Sequence, residues 1–168
     1  MSLRISKGTA AFVAGIVITT GFAAAPSAGA ATAHSLSAGS RTFVNANSGK
    51  CLEIWGDATH NGARAGQWDC NGSATQQWQI NFNGAWATIV NVNSGKCLEI
   101  WGDSVDDGAR AGQWDCNGSA TQQWLLTSTG ELGNRNSGKC LEIWGDATHN
   151  GATANQWQCN WSATQKWR

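Results

Sequence analysis

The chain has 168 residues, with 11 basic and 11 acidic side chains, 11 tryptophans, 21 glycines and six cysteines. A balanced charge with no basic stripe argues against nucleic acid and anionic membrane as partners, because both recruit through clustered Lys and Arg. The first 30 residues read as a signal peptide: Arg4 and Lys7 are basic, Ala10–Ala25 is uncharged, and Ala28-Gly29-Ala30 is a small-x-small cleavage pattern. Ala31-Thr32-Ala33 offers a second cleavage point, so cleavage is expected near Ala30 or Ala33, and the protein is expected to be secreted and extracellular. The apolar run is too short for a comfortable membrane span. Residues 31–40 read as a flexible leader and 41–168 as one domain. Without Arg4 and Lys7, 9 basic side chains face 11 acidic ones.

A block of 32 residues that opens NSGKCLEIWGD and closes on Gln-x-Trp then occurs three times, at Asn47–Trp78, Asn93–Trp124 and Asn136–Trp167. The first copy matches the second at 28 of 32 positions and the third at 27 of 32. Such self-similarity marks an architecture of repeated supersecondary units. Strand signals recur in step. Thr42–Asn45, Thr88–Asn91 and Glu131–Asn134 precede the blocks, and Phe43, Ile89 and Leu132 each stand eight residues before a block's first cysteine. An Asn-Ser-Gly-Lys turn follows, then Cys-Leu-Glu-Ile-Trp as a second strand. A third strand ends at Gln-Trp-x-Cys, and a fourth begins near Gln-x-Trp. About twelve short strands are expected, in repeats of about 41–82, 86–127 and 130–168. The blocks should close around a common axis, which removes exposed sheet edges. The fourth strand of the last block has to pair with the first strand of the domain.

Six cysteines allow 15 pairings. The repeat selects Cys51–Cys70, Cys97–Cys116 and Cys140–Cys159, each pair 19 residues apart within one block. Alternation along the second strand puts Leu52 and Ile54 on one face and Glu53 and Trp55 with Cys51 on the other. Trp68 and Cys70 share a face of the third strand, so Glu53, Trp55 and Trp68 should lie together, as should Glu99, Trp101 and Trp114, and Glu142, Trp144 and Trp157. A carboxylate beside an indole suits a sugar: the acid accepts hydrogen bonds from ring hydroxyls and the ring covers the apolar C–H patch.

Cys-Leu-Glu-Ile, Gln-Trp-Asp-Cys-Asn-Gly and Gln-Gln-Trp, repeated in register, resemble the β-trefoil domains of the ricin B-chain type, which include the family 13 carbohydrate-binding modules. The resemblance covers Thr42–Arg168 and implies an all-β, pseudo-threefold trefoil. It implies that Trp78, Trp124 and Trp167 are core, that Trp68 and its equivalents stack on sugar, and that Glu53 occupies the place of a sugar-binding Asp. Gln76, Gln122 and Gln165 are candidates for loop bracing or ligand contact. Two family polar groups are altered here: Gly66, Gly112 and Asn155 stand where a Gln is usual, and Thr75, Thr121 and Thr164 where an Asn is usual. Galactose preference is therefore not carried over.

Other chemistries fit less well. The loop from Asp103 has Val105 and Trp114 at calcium-ligand positions, and the pairs Glu53/Asp57 and Glu99/Asp103, four residues apart across a strand end, are not expected to face each other as glycosidase carboxylates do. No metal and no cofactor is expected. The reading is a secreted, monomeric, non-catalytic protein that binds a polysaccharide or glycan through up to three equivalent sites. The alternatives are a protein-binding trefoil, an inhibitor or adhesion protein using exposed Trp, and last a stand-alone glycosidase.

Overall fold

A computed structural model describes residues 39–168; the expected signal peptide and the leader as far as residue 38 lie outside the described residues. Among the described residues the regular structure is ten short β-strands and six 3-10 turns. In chain order the strands are β1 (Cys51–Ile54), β2 (Ala63–Trp68), β3 (Trp78–Asn83), β4 (Trp86–Asn91) and β5 (Cys97–Ile100). They continue as β6 (Ala111–Trp114), β7 (Trp124–Leu126), β8 (Leu132–Asn134), β9 (Cys140–Ile143) and β10 (Ala154–Trp157). Ten strands stand in place of the expected twelve. The two missing ones are those that join the ends of the domain, where pairing shrinks to single bridges such as Val44 with Cys51 and Asn45 with Trp167. Closure is nevertheless made. Val44 and Arg168 exchange two backbone hydrogen bonds of 2.9 Å, and the buried Asn45 amide donates to the Thr164 carbonyl at 2.8 Å.

Each block folds its second and third strands into one antiparallel pair, with Cys51 opposite Trp68, Cys97 opposite Trp114 and Cys140 opposite Trp157. The three expected disulfides are formed. Leu52, Ile54 and their repeats fill the interior together with Phe43, Ile89 and Leu132. The Gln-x-Trp indoles are buried among them, and Trp78, Trp124 and Trp167 each donate Nε1–H to the carbonyl of Leu52, Leu98 and Leu141 at 3.0, 2.9 and 3.1 Å. One buried polar group per indole is thereby satisfied.

The blocks are stitched head to tail. Fully buried Gln67 donates to the carbonyls of Ala147 and His149 in the third block. Gln113 does the same to Ala58 and His60 of the first block, and Gln156 to Ser104 and Asp106 of the second. A further contact closes each junction. The backbone N–H of Asp69 meets Asn150 Oδ1, that of Asp115 meets Asn61 Oδ1, and that of Gln158 meets Asp107 Oδ1.

Candidate functional site

After β1 the chain reverses through Gly56 (φ 62°) and Asp57 (φ 54°), left-handed geometry that glycine adopts freely and Asp tolerates better than most residues. This turn decides what the outward face holds. It carries the Asp57 carboxylate back over the strand end, so that Glu53, Asp57, Trp68, Asn71, Ser73 and Thr75 line one cleft of about 400 Å³. Glu99, Asp103, Trp114, Asn117, Ser119 and Thr121 line a matching one of about 380 Å³. Glu53 and Asp57 thus line the same cleft, because the positive-φ pair folds the chain back where a continuing strand would have carried them apart. The roles of Asp57, Asn71 and Ser73 were missed in sequence; the Gly-Asp pair that permits the turn was the signal.

Glu53 is buried, 8% exposed, and is not a freely solvated strand carboxylate. Gln76, itself fully buried, holds it: one Nε2–H goes to Glu53 Oε2 at 3.0 Å and the other to the Asp69 carbonyl at 2.9 Å, while Gln76 Oε1 accepts from Asn71 N–H at 3.0 Å. Gln122 and Gln165 hold Glu99 and Glu142 in the same way. The Gln side chains therefore act behind the cleft, fixing a carboxylate that faces it. Burial pushes the Glu53, Glu99 and Glu142 carboxyls above the ordinary range; the Gln hydrogen bond pulls each back, and the neighbouring Asp adds to the upward push.

Trp68 and Trp114 are 43% exposed and flank these acids. Each is seated against a glycine of the preceding block, Trp68 at Gly151 and Trp114 at Gly62. Trp55 and Trp101 are placed differently from the sequence expectation. Neither lines a cleft, because each opens the 3-10 turn and tucks its indole against the glycine across the strand pair. A Cβ on Gly66 would lie 2.3 Å from Trp55 Nε1, and one on Gly112 2.3 Å from Trp101 Nε1, closer than atoms can pack. The absence of a side chain at these positions creates the indole's seat.

The third block has Asn155 there, and Trp144 is displaced. Its ring is 46% exposed and meets Trp157 edge-on, 5.2 Å between centroids and 64° between planes. Both rings crowd Gly108. Asn155 donates Nδ2–H to the Gly108 carbonyl at 2.7 Å, but its buried Oδ1 has no partner. Trp161, 69% exposed, stands where the other blocks have Gly72 and Gly118. The three faces are therefore two near-copies and one variant.

Strand pairs joined into a closed ring of three blocks, each with a braced acid beside an aromatic ring, define a β-trefoil of the lectin kind. Residues 39–167 match the family described as the ricin-type beta-trefoil lectin domain, and the chain belongs to that family. That membership suggests carbohydrate binding. Among solved structures it is similar to ThreeFoil, a designed threefold-symmetric protein, at 32% identity and TM-score 0.74, covering 76% of this chain and 94% of that one. It is also similar to an exo-beta-1,3-galactanase from Clostridium thermocellum, at 32% identity and TM-score 0.73, covering 77% of this chain but 29% of the enzyme. The Rhizoctonia solani agglutinin shares the fold at 18% identity and TM-score 0.71, covering 80% of this chain and 95% of that one. No curated protein matches in sequence.

Proposed function

We propose that this is an exported, non-catalytic protein that binds a glycan polymer through the clefts at Glu53 and Glu99, with the divergent third face contributing separately. One observation carries the reading. Each of the two clefts offers a buried carboxylate, held in place by a glutamine, beside a half-exposed indole. A preset acceptor next to a flat apolar surface binds a pyranose with little ordering of the protein, since the acid is already positioned. Glu53 and Asp57 share the first cleft, but Gln76 fixes Glu53 as an acceptor, and the same arrangement recurs at Glu99 and Asp103. Repetition suits a polymer that engages several sites at once, which raises avidity without new contacts.

The test is a glycan array combined with pull-down on insoluble polysaccharides, using the mature protein and the Glu53→Ala/Glu99→Ala/Glu142→Ala variant. Binding by the parent and its loss in a variant that retains a cooperative melt support the reading. Undiminished polysaccharide binding by the folded triple variant would remove these carboxylates from it.

A further inference from the structure

A second cavity lies across one loop from the Glu99 cleft. The segment Asn117–Ser119 separates the two spaces. Asn117 and Ser119 line the Glu99 cleft, and Gly118 between them lines a cavity of about 360 Å³ built against the β3–β4 hairpin. Phe82, Trp86, Asn81, Asn83 and Gln123 complete that cavity. The hairpin's register puts Asn83 opposite Trp86 and Asn81 opposite Thr88, so two amides and the indole share one face. Phe82 alternates to the other face yet still borders the cavity at the hairpin end, where it is 58% exposed.

The wall is held stiff. Gln123 Nε2 donates to the Gly118 carbonyl at 2.8 Å, Arg135 donates to Gln123 Oε1, and the Arg135 guanidinium lies 5.3 Å from the Trp86 ring centre. The cation is thus engaged with an amide and a ring, leaving neutral amides and aromatic surface as the cavity's chemistry. Amides donate to and accept from hydroxyls, and aromatic faces cover C–H patches, which again fits a neutral pyranose. The third block has no counterpart: the loop joining β7 to β8 puts Ser128 where the first hairpin has Phe82, and residues 125–132 contain no aromatic.

We infer that this cavity is a subsite for a further neutral sugar of the glycan chain held in the Glu99 cleft, so that the second block reads a run of residues where the first reads one. The inference rests on the carbohydrate reading above. The two cavities share a wall only one loop thick, so a single chain crossing Gly118 occupies both without any rearrangement of the protein.

An array of neutral mono- to hexasaccharides tests it, probed over a concentration series with the parent, a Phe82→Ala/Trp86→Ala variant and an Asn81→Ala/Asn83→Ala variant. The second pair is exposed and spares the hairpin's aromatic packing. All three are compared in a Glu53→Ala/Glu142→Ala background that leaves the second block as the working cleft. Affinity in that background should rise with glycan length by about tenfold, and both variants should erase the rise while keeping the shortest bound ligand. An equal length dependence in parent and variants, or none in the parent while the Glu99 cleft still binds, overturns the subsite and leaves the carbohydrate reading standing. If the parent protein, with all three glutamates intact, binds nothing on the array, the carbohydrate reading and the subsite fall together.

Discussion

Asn155→Gly should return Trp144 to the seat that Trp55 and Trp101 occupy. The substitution removes the Cβ that blocks the seat and the buried Oδ1 that has no partner, an unsatisfied group worth about 1–3 kcal/mol. Against this, the 2.7 Å bond to the Gly108 carbonyl is lost, about 1 kcal/mol, and glycine in a strand costs roughly 0.5–1 kcal/mol. Re-covering about 50 Å² of the indole restores roughly 1 kcal/mol. The seat, however, leaves the indole Nε1–H buried without a partner, as it is at Trp55 and Trp101, which costs about 1–3 kcal/mol; the terms nearly cancel, and the melting point should move by no more than roughly 4 °C. Nitrogen-15 NMR of the indole N–H groups supplies the second readout: the Trp144 signal should lose solvent exchange and Trp157 should become more open. Gly112→Asn is the reverse experiment and should expel Trp101 at a cost of about 1–3 kcal/mol, the usual penalty for overpacking. A Trp144 signal still exposed in a folded Asn155→Gly protein would refute the steric account of the third block.

Trp124→Ala should destabilise the fold by about 3–5 kcal/mol, since it empties a fully buried indole site and unpairs the Leu98 carbonyl; denaturant titration reports it, and Trp114→Ala should cost far less stability and more binding. The raised carboxyls of Glu53, Glu99 and Glu142 favour the protonated folded state, so their contribution to stability is present in acid and lost as pH rises through the raised values. Changing all three to Gln should therefore stabilise the protein at pH 7, with the advantage shrinking toward about pH 4.3; melts across that range check it. Glycan binding should run the other way, weakening in acid at pH values above the ordinary glutamate range, as the accepting carboxylates are lost. Calorimetry with a short oligosaccharide should give more than one site per chain, and a stoichiometry of one would show that a single face works.

Periodicity in the sequence exposed the large-scale order of this fold. Constant cysteine spacing paired the disulfides, and equal offsets placed Phe43, Ile89 and Leu132 in the core. Alternation also put Glu53 and Trp68 on one face, because both sit inside regular strands. It did not carry to Trp55, one residue past the end of β1, because Gly56 and Asp57 adopt positive φ there and a period of two no longer applies. The displacement of Trp144 was equally hidden. Asn155 was visible as a departure, but its effect depends on a distance across two strands that no local pattern encodes. Gln76 was readable as loop bracing or ligand contact; its hydrogen bonds to the Asp69 carbonyl, Asn71 N–H and Glu53 make it a brace that also holds the carboxylate.

The junctions between blocks hold a record of how copies drift. At two of them an acid in one block faces an amide in the next: Asn150 Nδ2 donates to Asp69, and Asn61 Nδ2 to Asp115, at 2.7 and 2.8 Å. Lys50 and Lys96 sit on those acids. At the remaining junction the partners have traded places, with Asp107 where the others have Asn and Gln158 where they have Asp, and Lys139 has followed the acid across to Asp107 at 2.7 Å. Changing one member alone would leave either two facing carboxylates or a lysine without an anion. Acid, amide and lysine at each junction thus form a matched set drawn from two blocks. Overwriting the third block with a copy of the first would bring a carboxylate against Asp107, with Lys139 as the cation between the two acids.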